Sequence, residues 1–334
     1  MELAIPKLRR GSFFPSILER RRRIDRALFA GVMEAYVHGI STRKVDDLVA
    51  ALGFESGISK SEVSRICREL DAEMEAFRSR PLGHMAFPYV FADATYLTGR
   101  GRGRVVSRAV VVATGVTATG DREVLGVDVG DSEDGAFWTA FLTGLRARGL
   151  GGVQLVISDH HLGLKEAIAS VFVGAGWQRC RVHFMRNVLA RVPKASAQMV
   201  AAAVRTIFAQ PDAIHVRSQL AEVNRMLGPQ FPEVATMLEG AAEDLLAFCT
   251  FPQLHWRKIW STNPLERVNG EIKRRTTVVG IFPNAAAIVR LVTAVCVETH
   301  DEWAVAERRY LSEESMAKLY ETTTDTEAPV AITA

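Results

Sequence analysis

Apolar positions recur at spacings of three and four through residues 24–80, a stretch without proline, as at Leu28, Val32, Ala35 and Tyr36. That spacing predicts helices. Within it lies a helix-turn-helix pattern: a first helix over 42–52 with Val45, Leu48 and Val49 inward, a turn over 53–57, and a second helix opened by Ser59 with Glu62 at capping-box spacing. Val63, Ile66 and Leu70 bury the second helix and leave Lys60, Ser61, Ser64, Arg65 and Arg68 outside, a set suited to phosphates and base edges. An ordinary two-helix hairpin fits the same pattern. After Arg80-Pro81-Leu82-Gly83 the texture changes. Strands are predicted over 89–97, 105–116 and 123–129, the first two joined by a Gly/Arg turn at 99–103, which suggests an antiparallel meander. A helix follows over 135–148, with Phe137, Phe141, Leu142 and Leu145 on one face. The apolar run 153–157 reads as a buried strand, 163–172 as a helix, and 177–182 as a short strand leading into a basic helix. Residues 194–250 carry only Ala-rich amphipathic stretches, at 195–208, 213–227 and 231–248. Two further helices are expected over 264–275 and 284–310, and the acidic, then Thr-rich, tail from Ser312 is expected to fray.

The order is three strands, helix, strand, helix, strand, helical insert, closing helices. It agrees with a mixed α/β, RNase-H-like core interrupted by an all-helical insertion, preceded by a helical, helix-turn-helix-like region. A doubly wound parallel sheet would need crossover helices between the first strands, and none fits between 97 and 105 or between 116 and 123. The expected division is 1–80 as a DNA-binding region, 85–193 as the first part of the core, 194–255 as the insertion, 256–310 as the last part of the core, and 311–334 as a flexible tail.

Hydrophobic residues make up 48% of the 334 positions and charged residues 24%, so a buried core is available and wholesale disorder is excluded. The four Cys (67, 180, 249, 296) are too scattered for a disulfide framework or a four-Cys zinc site. The sequence has neither a long apolar span nor a signal-peptide core, and the reading is a soluble, cytoplasmic protein with no membrane association. The net charge of +3 says little by itself. Its distribution says more. Residues 1–26 hold eight basic and three acidic side chains, residues 178–194 five basic and none acidic, and residues 257–275 six basic and two acidic. One such cluster is usually a solvated face; three point towards a polyanion.

Asp93 interrupts an apolar strand, and Asp159 ends another. A carboxylate in a buried strand is costly unless it is paired or bound to a cation. Asp159 alone would read as a helix cap. Together, on adjacent strands, the two can hold Mg²⁺, which needs only one or two protein carboxylates plus phosphate. Two-metal phosphoryl transfer calls for a third acid, and local chemistry leaves Glu266 and Glu271 as rivals. Glu266 also reads as the closing member of a capping box begun by Asn263, with Pro264 in the first turn. Lys273, two turns after Glu266, shares its face.

The acids at 93, 159 and 266 stand 66 and 107 residues apart, within a run of words: Asp93-Ala94-Thr95-Tyr96; Leu125-Gly126; Ser132-Glu133-Asp134 with Phe137-Trp138; Ser158-Asp159 with His161 and Gly163-Leu164; Gln178-Arg179-Cys180 with His183 and Arg186-Asn187; Ser261-Thr262-Asn263 through Glu266 to Asn269; and Phe282-Pro283-Asn284. In these words and their order the chain resembles the bacterial Mutator-like insertion-sequence transposases, which carry an Asp, Asp, Glu triad on an RNase-H-like fold. The resemblance implies Glu266 as the third acid, two Mg²⁺ (or Mn²⁺) ions held by Asp93, Asp159 and Glu266, and a helical domain between the second Asp and the Glu. It implies double-stranded DNA as partner, both terminal inverted repeats and target, and a homodimer or higher assembly on that DNA. It also identifies Cys180 and His183 as the family's Cys-x-x-His signature. That pair lacks a second ligand pair for zinc and reads as structural. His161, Arg186, Lys273 and Arg274 join Lys60, Ser61, Ser64, Arg65 and Arg68 as expected DNA contacts, with a backbone-bonded helix-start role for His161 as the alternative. Relatives of this kind extend further upstream of the segment at 5–13, so part of the end-binding region is expected to be missing. Two other readings remain: a DNA-binding derivative without catalysis, and a stand-alone RNase-H-like nuclease.

Overall fold

The computed structural model describes residues 60–101, 104–282 and 284–321. The first helix of the helix-turn-helix pattern and its turn lie outside these residues. Helix α1 (Lys60–Ser79) is described. It buries Met74 against Ala294 and ends with Arg78 bonded to the Val127 carbonyl and to Asp128.

Five strands form one mixed sheet in the order β3-β2-β1-β4-β5. They are β1 (Tyr89–Gly101), β2 (Arg104–Val116), β3 (Arg122–Gly130), β4 (Leu155–Ser158) and β5 (Gly176–Arg179). The first three are antiparallel neighbours, as their short connections require. β4 runs parallel to β1, and β5 parallel to β4, after crossovers through α2 (Gly135–Ala147) and α3 (Leu162–Val171).

Side chains alternate across the sheet. Val90, Ala92, Val111, Ala113 and Val156 face α2 and α3, where Trp138, Leu142, Leu145, Leu164 and Ile168 complete one core. Phe91, Leu97, Val110, Val112 and Ile157 face the other way, into a larger helical layer. That layer comprises α4 (Arg181–Leu189), α5 (Lys194–Ile207), α6 (Ala213–Leu227), α7 (Pro232–Leu245), α8 (Gln253–Ile259), α9 (Asn263–Val279) and α10 (Ala285–Ala304). No strand interrupts it from Arg181 to Val279, as the amphipathic pattern predicts.

Several boundaries differ from the sequence reading; the helix expected to run to 310 ends at Ala304, and the one expected to end at 275 runs to Val279. β1 continues through the expected Gly/Arg turn to Gly101, because residues 98–101 keep their pairing with β2 and Phe282 adds a bridge on the outer edge, its N–H donating to the Thr98 carbonyl. β5 stops at Arg179, and the positions read as its end start α4 instead. The stretch from Ser312, expected to fray, packs as far as residue 321. Ser312 caps a short helix, α11 (Glu313–Ala317), Leu311 and Met316 are buried, and the Tyr310 and Leu311 N–H groups donate to the Gly120 carbonyl.

Candidate active site

Period two along β1 places Asp93 on the same face as Phe91, at the rim of the larger helical layer. Its Oδ1 accepts from the Ala94 N–H at 3.0 Å, and its Oδ2 from Asn269 Nδ2 at 2.7 Å. Burial is the main influence on its carboxyl, whose pKa is pushed up to about 6. The Asp159 charge acts in the same direction; His183, the Ala94 N–H and Asn269 oppose it.

Asp159 follows the end of β4. Phe91 and Ile157 are register partners on the parallel strands, and the two aspartates each stand two residues further on. Asp159 Oδ1 accepts from the His160 N–H at 2.6 Å. It does not cap α3; that position belongs to His161, whose Nδ1 accepts from the Leu164 N–H at 3.1 Å. The backbone bond of the alternative role for His161 is therefore present.

His183, on α4, brings its Nδ1 within 3.8 Å of Asp159 Oδ2. That is ion-pair range but beyond a hydrogen bond, and this nitrogen has no hydrogen-bond partner. The Cys180 thiol contributes most to lifting the imidazole to about 9, against burial and with help from Asp159 and Asp93. Burial alone would raise the Cys180 thiol; hydrogen bonding with His183 and Thr262 outweighs it, and the net direction is down.

Cys180 also joins two helices. It is the N-cap residue of α4, and its Sγ accepts from both the N–H and Oγ1 of Thr262, each at 3.4 Å. Thr262, not Asn263, is the N-cap of α9. Its hydroxyl is spent on the sulfur rather than on the helix, so the capping box expected around Asn263 does not form.

Glu266 sits half-buried in the first turn of α9, three residues before Asn269 and on its face. The structure gathers Asp93, Asp159, His183 and Asn269; no contact joins Glu266 to either aspartate. Among the described residues no three His, Cys, Asp or Glu side chains are grouped closely enough to hold a metal ion. The donors that do meet are hard carboxylate oxygens, one of them held protonatable by burial, and these suit Mg²⁺.

The expected DNA contacts are spread more widely. Lys60, Ser61, Ser64 and Arg65 fall on α1, but their side chains lie outside the described residues. Arg68, Arg186, Lys273 and Arg274 are exposed, Arg274 in an ion pair with Glu271 at 2.8 Å. The sequence reading gave no role to Asn269 or Thr262. A signal for Asn269 was present: positions 265, 268, 269 and 272 share the inner face of α9, and only 269 is polar. No comparable signal marks Thr262.

The model of the family described as "Transposase, Mutator family" matches residues 1–306. The chain is 48% identical over 330 residues to the transposase for insertion sequence element IS1081 of Mycobacterium tuberculosis, covering 98% of this chain and 79% of the relative. It is 41% identical over 301 residues to the transposase for insertion sequence element IS406 of Burkholderia multivorans, covering 90% and 77%. It is 37% identical over 317 residues to the transposase for insertion sequence element IS256 in transposon Tn4001 of Staphylococcus aureus, covering 93% and 80%.

Proposed function

The chain belongs to the Mutator family of transposases, and from that premise we propose that it binds the terminal inverted repeats of an insertion sequence and carries out metal-dependent DNA cleavage and strand transfer with Asp93, Asp159 and Glu266. The observation that carries this reading is the placement of Asp93, inside β1, beside Asp159, which follows the end of the adjacent parallel strand β4, with the Glu266 helix tied to Asp93 through Asn269. The sheet order, with three antiparallel strands followed by two parallel ones, supports an RNase-H-like core.

Two Mg²⁺ (or Mn²⁺) ions held by Asp93, Asp159 and Glu266 would activate water and offset the charge on the leaving oxygen. The rest falls to the chain. Asn269 holds the Asp93 carboxylate in one orientation. His183 places a positive charge beside both aspartates, which limits their mutual repulsion. Arg186 and Lys273 lie exposed on the two site helices and would bind backbone phosphates. Strand transfer uses a DNA 3′-hydroxyl as nucleophile, so no Ser or Tyr of the chain is required to attack. Holding two element ends together calls for at least two copies of the protein.

The test is cleavage and joining of DNA carrying the inverted repeats that flank the reading frame, with Mg²⁺ present. Asp93→Ala, Asp159→Ala and Glu266→Ala should each abolish both steps and keep DNA binding. Full activity of Asp93→Ala overturns the assignment. Binding without cutting by the wild type would make it a non-catalytic derivative; cutting without repeat preference or joining would make it a nuclease.

A further inference from the structure

Two aromatic residues at the junction of α4, α5 and α8 each follow an arginine by three positions. Phe208 caps α5 one turn after Arg205, and Trp260 caps α8 one turn after Arg257. The rings meet edge to face, with centroids 5.9 Å apart. Arg181, the first residue of α4, lies over both: its Cζ is 3.7 Å from the Trp260 centroid and 5.3 Å from that of Phe208. Its N–H donates to the Trp260 carbonyl at 3.0 Å, which fixes the start of α4 against the end of α8.

Arg205 on α5 and Arg257 on α8, each one turn before a ring that Arg181 covers, are near enough for their charges to act on Arg181. Arg205 and Arg257 are exposed and Arg181 is half-buried. Among the described residues none of the three has a carboxylate partner. Arg181 feels burial first, then the opposing influence of Cys180, and then the repulsion of Arg205 and Arg257. Several arginines elsewhere on this surface, such as 78, 217, 225, 274 and 309, are paired with acids. A guanidinium stacked on an aromatic platform with two like charges near it favours a bound anion, and a planar, stacked guanidinium is pre-organised for phosphate.

We propose that Arg181, Arg205 and Arg257 form a phosphate-binding site for the DNA backbone, separate from the Asp93–Asp159 site. It rests on the reading of the protein as a DNA transposase. The Cys180–Thr262 link lies immediately beside it, so DNA held here would be braced against the origin of both site helices.

The experiment is the salt dependence of duplex binding by the full chain, for wild type, Arg205→Ala/Arg257→Ala and Arg205→Lys/Arg257→Lys. Each phosphate contact contributes about 0.9 to the slope of log K against log salt, so the alanine pair should lower the slope by about two units on specific and random duplex alike. The lysine pair should retain it. Both positions are exposed, and melting curves of the variants should match wild type; Arg205→Gln and Arg257→Gln singly, each expected to remove about one unit, serve if the double variant melts early. A wild-type slope in the alanine pair, with wild-type cleavage and joining intact, overturns this site and leaves the proposed function standing. A wild type that binds no DNA overturns both.

Discussion

Asn269 donates through Nδ2 to Oδ2 of Asp93 at 2.7 Å, across 176 residues of sequence. It is buried, and its own Oδ1 has no partner. Under the proposed role of Asp93, a residue that orients its carboxylate in this way affects the reaction more than binding. Asn269→Ala should slow cleavage and joining by about 10–100-fold, the usual cost of losing an outer-shell partner, with DNA affinity little changed. Unaltered rates in single-turnover assays would show that Asp93 needs no such support.

Cys180 should be sensitive to substitution for reasons of stability. Cys180→Ala leaves the buried Thr262 N–H and hydroxyl without an acceptor, at a cost of about 1–3 kcal/mol. Cys180→Ser keeps an acceptor and should lose less. Denaturant unfolding of the three proteins checks the order; equal stability of alanine and serine variants would mean that the sulfur's acceptor role contributes nothing.

Gly120 anchors the C-terminal segment. It sits at φ 90°, its carbonyl accepts from Tyr310 and Leu311, and an added Cβ would overlap the Leu311 carbonyl oxygen. Gly120→Ala therefore combines a backbone penalty of about 1–2 kcal/mol with loss of that docking. The expected result is faster proteolysis near residues 306–321 and a lower melting temperature, read by limited digestion with mass mapping.

The contribution of His255 to stability should fall on the acid side of neutrality. His255 is buried and bonded through Nδ1 to the Tyr89 hydroxyl at 2.7 Å. Burial, opposed by the Ser315 backbone and aided by Lys318, holds its pKa below the ordinary 6.5. The unfolded chain takes up a proton near that ordinary value while the folded chain does not, so the stabilisation is complete above about pH 6.5 and is lost as pH falls towards the depressed folded value. His300, depressed chiefly by burial, adds to the slope. His183 and Asp93, whose folded values are raised, act in the opposite direction, so the His255 part is read as the difference between wild-type and His255→Gln melting temperatures across pH 5 to 8, a gap expected to change as pH falls.

The sequence by itself determined the local elements and the chemistry they carry. Apolar and β-branched runs reveal β2 and β4, amphipathic spacing reveals α5 to α7, α9 and α10 but not α8, and a lone carboxylate among apolar neighbours reveals Asp93, because burial periodicity is written into consecutive residues. The motif spacing also carried the family. Tertiary structure decided what those elements do to one another. The parallel placement of β4 and β5, the extension of β1 beneath Phe282, the Asn269–Asp93 bond and the Thr262–Cys180 link all join residues far apart in the chain. Such contacts depend on how whole helices pack on the sheet, and no local period encodes them. The arginine cluster illustrates the division: its three members lie 24 and 52 residues apart in unremarkable helices, and only the meeting of Phe208 with Trp260 brings their charges together.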